Sequence, residues 1–227
     1  MKMKKKWPWY LGFFVLLFAL YYVVVFSMTD ISQSNLPVIN NNVQPFSFID
    51  QNGKTITEKD VDGKVYVTEY FFTTCKGICP KMNSNMRRVY DAFKTDSNFM
   101  IISHTCMPET DSVPLLKAYE QKMIGNYDGK QSMSNWYFLT GSKDSLYRMA
   151  RESYLLDNEK NNSLNIEDQF IHTQFFALVD KQKRVRGIYD GLKNDELDKL
   201  STDIKELLKE TKDPQARISS PFSNSPN

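Results

Sequence analysis

The longest apolar stretch comes first. Trp7 to Thr29 carries no charged residue, and its centre, Leu11 to Phe26, is almost wholly Leu, Phe, Val, Tyr and Ala. As a helix, such a run crosses about 30 Å of hydrocarbon. Asp30 to Gln44 then turns polar, Asn-rich and aperiodic, the pattern of a tether. From Pro45 onward, period-two and helical stretches alternate. Phe46 to Asp50 and Lys54 to Thr57 flank Gln-Asn-Gly, a hairpin signal. Lys64 to Phe72 is rich in β-branched and aromatic residues and predicts a buried central strand. Met82, Met86, Val89, Tyr90 and Phe93 recur at helical spacing, which predicts a helix from just after Cys79 and Pro80 to about Lys94.

A strand over Asn98 to Thr105 follows, then a helix carrying Leu115, Leu116 and Tyr119, a strand at Trp136 to Thr140 and a helix at Lys143 to Arg151. Tyr154 to Gln169 is polar, with four asparagines, and reads as an irregular insertion. Gln174 to Asp180 and Arg184 to Asp190 predict a hairpin around Lys-Gln-Lys, and Asp195 to Leu208 a closing amphipathic helix. This order predicts an α/β fold, a thioredoxin-like sandwich with an N-terminal hairpin, preceded by one transmembrane helix. The expected organisation is an anchor over 1–29, a polar tether over 30–44, one domain over 45–210 and a disordered tail over 211–227, rich in serine and proline. The 227 residues leave room for a single core once anchor and tails are set aside.

Charge adds orientation. Lys2, Lys4, Lys5 and Lys6 precede the apolar run, and a basic flank stays in the cytoplasm, so the domain is expected on the extracytoplasmic (periplasmic) side of the cell membrane as a single-pass protein. A cleaved signal peptide is the competing reading, but Ser-Met-Thr-Asp after Phe26 lacks the small-x-small pattern, and no cysteine lies nearby for lipid attachment. The net charge of +2 offers no basic field to hold a polyanion, so nucleic acid is not an expected partner.

The chemistry concentrates in Cys75-Lys-Gly-Ile-Cys79-Pro80, where a buried strand turns into a helix. The unpaired N–H groups and dipole of a helix N-terminus stabilise thiolate, so lowered pKa values are expected for Cys79 and for Cys75. The spacing lets two sulfurs converge, to close a disulfide or to grip one soft ion, for which Cu(I) suits an extracytoplasmic setting. A plain structural disulfide is the bland alternative, and it does not explain the strand-to-helix placement. Two thiolates on a soft cation want a third ligand, and His172 stands just before the strand Gln174 to Asp180. In a thioredoxin-like sandwich that entry lies beside the cysteine loop. Thioredoxins carry a cis-proline there, whereas this chain reads Ile-His-Thr.

The segments YFFTTCKGICPKM and FIHTQFFALVD resemble the Sco/SenC family of copper chaperones, as do Trp136 and Leu139-Thr140-Gly141. The similarity covers about Pro45 to Leu208. It implies that Cys75, Cys79 and His172 bind Cu(I) and Cu(II). It also implies a copper-accepting cytochrome oxidase subunit with a binuclear copper site as partner, along with other copper chaperones or thiol reductants. The family usually reads D-P-E-x-D-T-P after its second strand. Here Pro108, Glu109 and Asp111 match, but Met107 replaces the first aspartate, which puts copper affinity or partner choice in doubt.

His104 and Cys106, two apart, point to one face of an extended strand. With Met107 they offer a second soft-metal cluster or a resolving thiol, against the plainer and favoured reading of a partly buried strand end with an inert cysteine. Met82 and Met86, one turn apart, are assigned to the core. Three functions compete: a copper metallochaperone; a thiol–disulfide oxidoreductase that reduces the oxidase's copper-site cysteines with Cys75 and Cys79 as catalytic thiols; and a peroxidase, which the absence of a proline before Cys75 argues against. The second and third are enzymes; the leading reading is a carrier rather than a classical enzyme, with thiol–disulfide oxidoreductase activity as its enzymatic alternative.

Overall fold

The computed structural model describes residues 7–28, 34–125, 135–157, 171 and 173–210. The N-terminal run forms helix α1, Trp7–Met28, of 22 residues, about 33 Å at a rise of ~1.5 Å per residue. Its side chains are described over 9–23, where the large apolar residues are exposed. Among the described residues no helix is long and apolar enough to cross a membrane. The transmembrane expectation therefore gains a helix, α1, but no membrane span among the described residues.

A separate compact unit spans Ser34–Lys209. Its elements are β1 (Ser47–Ile49), β2 (Thr55–Thr57), β3 (Val65–Phe71), α2 (Cys79–Phe93), β4 (Phe99–Thr105), α3 (Val113–Ile124), β5 (Trp136–Leu139), α4 (Lys143–Arg148), β6 (Phe175–Val179), β7 (Val185–Asp190) and α5 (Asn194–Lys209). Five strands form one sheet in the order β5-β4-β3-β6-β7. β3 pairs in parallel with β4, β4 in parallel with β5, and β6 runs antiparallel to both β3 and β7. This is the thioredoxin-like α/β arrangement. Parallel β3 and β4 are buried along their whole length, as strands covered on both faces must be.

Side-chain alternation splits the core in two. On one face Val65, Val67 and Phe71 meet Met82, Met86, Val89 and Phe93 of α2 and Leu200, Ile204 and Leu207 of α5. Each such side chain contributes about 1.5–3 kcal/mol, and both methionines are core residues as expected. On the other face Tyr66 and Tyr70 meet Phe48 and Ile56 of the hairpin and Leu146 and Tyr147 of α4. The β1–β2 turn is fixed by Asp50, whose Oδ1 accepts from the N–H groups of Asn52 and Lys54 at 2.8 Å each. Gly53 sits at φ 77°, a left-handed conformation that a Cβ penalises.

Two expectations change. The segment 34–44 is not a free tether: Ile39 donates to the Val185 carbonyl at 2.8 Å, Val185 donates to that of Asn40 at 2.9 Å, and Val43 is buried. Arg186 also donates to the carbonyl of Leu36 at 2.7 Å. The outer edge of β7 presents backbone groups to solvent, and this segment pairs with those at its start, on Val185. The expected helix over Lys143 to Arg151 stops at Arg148 and widens into a π-helical turn, Met149–Ser153, that delivers Tyr154 into the core beside Tyr66. Residues 158–170, most of the expected insertion, and the tail 211–227 lie outside the described residues.

Candidate metal and thiol site

The site is assembled at the end of β3. The chain leaves the sheet at Phe72, carries Cys75 through a short loop and enters α2 at Cys79. Pro80 occupies the first turn of α2, where no N–H partner is lost, and no side chain caps that turn. The free N–H groups turn to sulfur instead. Cys75 is half-buried and Cys79 is buried, and both are free thiols.

The structure separates their electrostatics. Burial pushes the Cys75 thiol up, but hydrogen bonds from the Cys79 thiol and from the N–H groups of Cys79, Gly77 and Ile78 outweigh it, and its pKa falls. Cys79 moves the other way: burial first, then its hydrogen bond to Cys75, pushes it up to about 12. The expectation of a lowered pKa holds for Cys75 and is corrected for Cys79, because the N–H groups of Gly77 and Ile78 in the loop and of Cys79 at the start of α2 point at the Cys75 sulfur while Cys79 itself packs in the core.

Cys75, Cys79 and Cys106 line one small cavity of about 10 Å³ together with Tyr70, Ile171 and Thr173. His172 lies outside the described residues, but the residues on both sides of it border that cavity. Ile171 is tied down from below: its N–H donates to the Tyr147 hydroxyl at 3.4 Å, and that hydroxyl donates to the Cys106 carbonyl at 2.9 Å. Among the described residues no group of three or more His, Cys, Asp or Glu is arranged to hold a metal ion. The expected third ligand is not among them.

His104, in β4, and Cys106, the residue just past its end, fall on the same side of the sheet as expected, and both belong to the layer facing the hairpin and α4. They are fully buried, not partly: His104 is 0% and Cys106 2% exposed. Met107 is half-buried beside them.

Two groups escaped the sequence reading. The buried carboxylate of Asp111 accepts from the Thr73 hydroxyl and the Thr105 hydroxyl at 2.5 Å each and from the Thr73 N–H at 3.2 Å. It thereby clamps the start of the cysteine loop to the end of β4. Glu69, fully buried in β3, accepts from the Ser103 hydroxyl at 2.7 Å, and Trp136 Nε1 donates to Ser103 at 2.9 Å. Burial pushes the Glu69 carboxyl up to about 8. A charged residue within a strand otherwise fit for burial was the one available signal for Glu69. Asp111 had only a motif match.

The family profile described as SCO1/SenC matches residues 38–209. The SCO1 protein homolog of Bacillus subtilis (strain 168) is 33% identical over 169 residues, which cover 74% of this chain and 83% of that protein. Among solved structures, BsSco, described as a member of the Sco family of cytochrome c oxidase assembly proteins and as having a disulfide switch, is 32% identical with a TM-score of 0.61. That match covers 77% of this chain and 98% of BsSco. Arabidopsis thaliana ScoI, solved with copper bound, is 25% identical with a TM-score of 0.54, covering 73% of this chain and 98% of that one. With the family profile spanning the whole compact unit from the β7 edge segment to α5, and with the thiol pair at the strand-to-helix turn, this chain belongs to the SCO1/SenC family.

Proposed function

We propose that this protein is a membrane-tethered copper chaperone: it takes copper, as Cu(I) or Cu(II), on Cys75, Cys79 and His172 and delivers it to the binuclear copper site of a cytochrome oxidase subunit. α1 anchors it as a single span, and the compact unit works on the extracytoplasmic side, as the basic flank Lys2 to Lys6 argues. The observation that carries this reading is the shared cavity: two free thiols meet there with Ile171 and Thr173, the neighbours of His172. Copper is cargo here and must enter and leave. Cys75, half-exposed and already drawn toward thiolate, is the sulfur that an incoming or accepting ligand meets first. Cys79 gives up its proton only as the metal–sulfur bond forms, so loading releases protons and acid favours release.

Solved copper-bound relatives support copper as the cargo. The test is anaerobic titration of the reduced and the oxidised protein. A one-to-one complex with a thiolate-to-copper absorption band forms only after reduction. Cys75→Ser, Cys79→Ser and His172→Ala each abolish tight binding. A His172→Ala protein that binds as tightly as the parent, with the same band, defeats the reading.

A second reading has its own observation. A loop thiol stabilised by amides and hydrogen-bonded by a buried partner thiol is the arrangement of a thiol–disulfide oxidoreductase. Cys75 then attacks a disulfide of the oxidase's copper site and Cys79 resolves the mixed disulfide. Under that reading either cysteine is essential, His172→Ala retains activity, and added copper does not rescue a deletion strain.

A further inference from the structure

A fully buried carboxyl lies behind the thiol site and has no part in the function above. Glu69 stands on β3 between Val67 and Phe71, on the face that α2 covers. Phe71 borders the cavity that Cys75 and Cys79 line, and Glu69 sits two residues deeper, about 6.6 Å along the strand at ~3.3 Å per residue. One carboxyl oxygen accepts from the Ser103 hydroxyl, which Trp136 Nε1 bonds in turn. The other, Oε2, is buried without a hydrogen-bond partner, and so is Asn83 Oδ1. The Asn83 amide donates to the hydroxyl of Tyr119, whose ring stacks on Phe71 at 5.1 Å between centroids.

Burying an ionised carboxylate with an unbonded oxygen costs far more than burying the neutral acid. Glu69 is therefore held neutral, yet its charge reaches the site. After burial and the hydrogen bond to Cys75, it is among the charges that hold the Cys79 thiol up. After burial, it is the first charge that holds the Tyr119 phenol up. The titratable groups facing it are thus Cys75 and Cys79 at the turn into α2 and Tyr119 of α3. The sheet adds Ser103 and Trp136, and α5 adds Leu200, Ile204 and Leu207, its Asp203 being engaged by the Tyr189 hydroxyl of β7.

Cu(I) and Cu(II) on the same two thiolates and one imidazole differ by one positive charge. A nearby carboxylate lowers the energy of the more positive complex, whatever the protonation of the metal-free thiols. We propose that Glu69 selects the valence of the bound copper: as a neutral carboxyl it leaves the site to Cu(I), and as a carboxylate it favours Cu(II). This role rests on the copper reading above. Oxidation is then coupled to proton loss. One electron passes from Cu(I) to an outer-sphere one-electron acceptor, the Glu69 O–H bond breaks, its proton leaves to solvent, and every copper–ligand bond is kept. Two unit charges on the order of 10 Å apart, at an effective dielectric of about 20, shift each other's equilibria about tenfold. For one electron that is about 59 mV.

The test uses the full chain in detergent micelles under argon. The midpoint potential of bound copper is measured against redox mediators from about pH 6.5 to about pH 9, in the parent and in Glu69→Gln, which stays neutral. The two agree at the acid end. Toward the alkaline end the parent's ratio of Cu(II) to Cu(I) affinity rises about tenfold more than that of Glu69→Gln. Infrared difference spectra give a second readout. In the parent at about pH 8.5, oxidising the copper removes the C=O absorption of a protonated carboxyl, and the metal-free parent shows at pH 7 an absorption of this kind that Glu69→Gln lacks. Equal pH dependence in the two proteins overturns the inference, and so does a carboxyl absorption that oxidation leaves unchanged. If circular dichroism shows Glu69→Gln unfolded, the oxidation spectrum of the parent decides alone. A parent that holds copper of neither valence overturns the chaperone reading itself, and this role with it.

Discussion

Cys75 and Cys79 stand four positions apart and experience opposite fields, because hydrogen-bond donors gather on one sulfur and apolar packing on the other. Iodoacetamide should therefore modify Cys75 in the metal-free reduced protein at a lower pH than an ordinary thiol requires, while Cys79 stays unmodified near pH 8. Mass spectrometry of the labelled peptide checks this, and equal labelling of the two contradicts it. Glu69 is the second residue with a strong field. Its carboxyl titrates at about 8 in the folded chain against an ordinary 4.5, so between those values the native state holds a proton that the unfolded state has lost. Stability is then fully present below pH ~4.5 and declines as pH rises through about 8. Glu69→Gln, which cannot ionise, should flatten that decline, measured as denaturant midpoints from pH 5 to 8.5. A parallel slope in both proteins would mean that Glu69 is not the group responsible.

At the scale of elements, the cysteine loop depends on what clamps it to β4. Asp111 accepts from Thr73 and Thr105, so the loop start and the strand end move as one body. Asp111→Ala leaves the buried Thr105 hydroxyl and the partly buried Thr73 hydroxyl and N–H without their acceptor, and should cost about 1–3 kcal/mol of stability. It should also blunt the preference for Cys75 in alkylation, since the amides of Gly77 and Ile78 are held in place by the same loop. Loss of stability with an unchanged alkylation profile would show that the clamp does not position the sulfur.

For the whole molecule, the edge of the sheet matters as much as its centre. The segment 34–44 covers β7 and is held by the Arg186 guanidinium, which also pairs with Asp180 at 2.9 Å. Deleting 34–43 uncovers that edge, and exposed edges invite pairing with other chains. The truncated unit should unfold at lower denaturant and elute partly as higher oligomers in gel filtration. A truncated unit that stays monomeric and equally stable would mean the edge is protected in another way.

Hydrophobic periodicity alone determined that strand, helix and hairpin alternate in this order, because a strand or helix burying one face must repeat its apolar residues at period two or 3.6. It also determined that the thiol pair falls at a strand-to-helix turn, since Cys75-x-x-x-Cys79-Pro80 directly follows KVYVTEYFF. Contacts between distant segments were beyond its reach. Whether the amides at the turn into α2 serve Cys75 or Cys79 depends on which sulfur the core encloses. Whether residues 34–44 hang free depends on an unpaired edge that belongs to residue 185, and the π-helical turn after α4 exists to seat Tyr154 against Tyr66. The complete enclosure of the His104 imidazole follows from three rings brought in from Phe48, Tyr70 and Tyr154. Desolvation and hydrogen-bond partnership are properties of neighbours in space, and only the tertiary structure decides who those neighbours are.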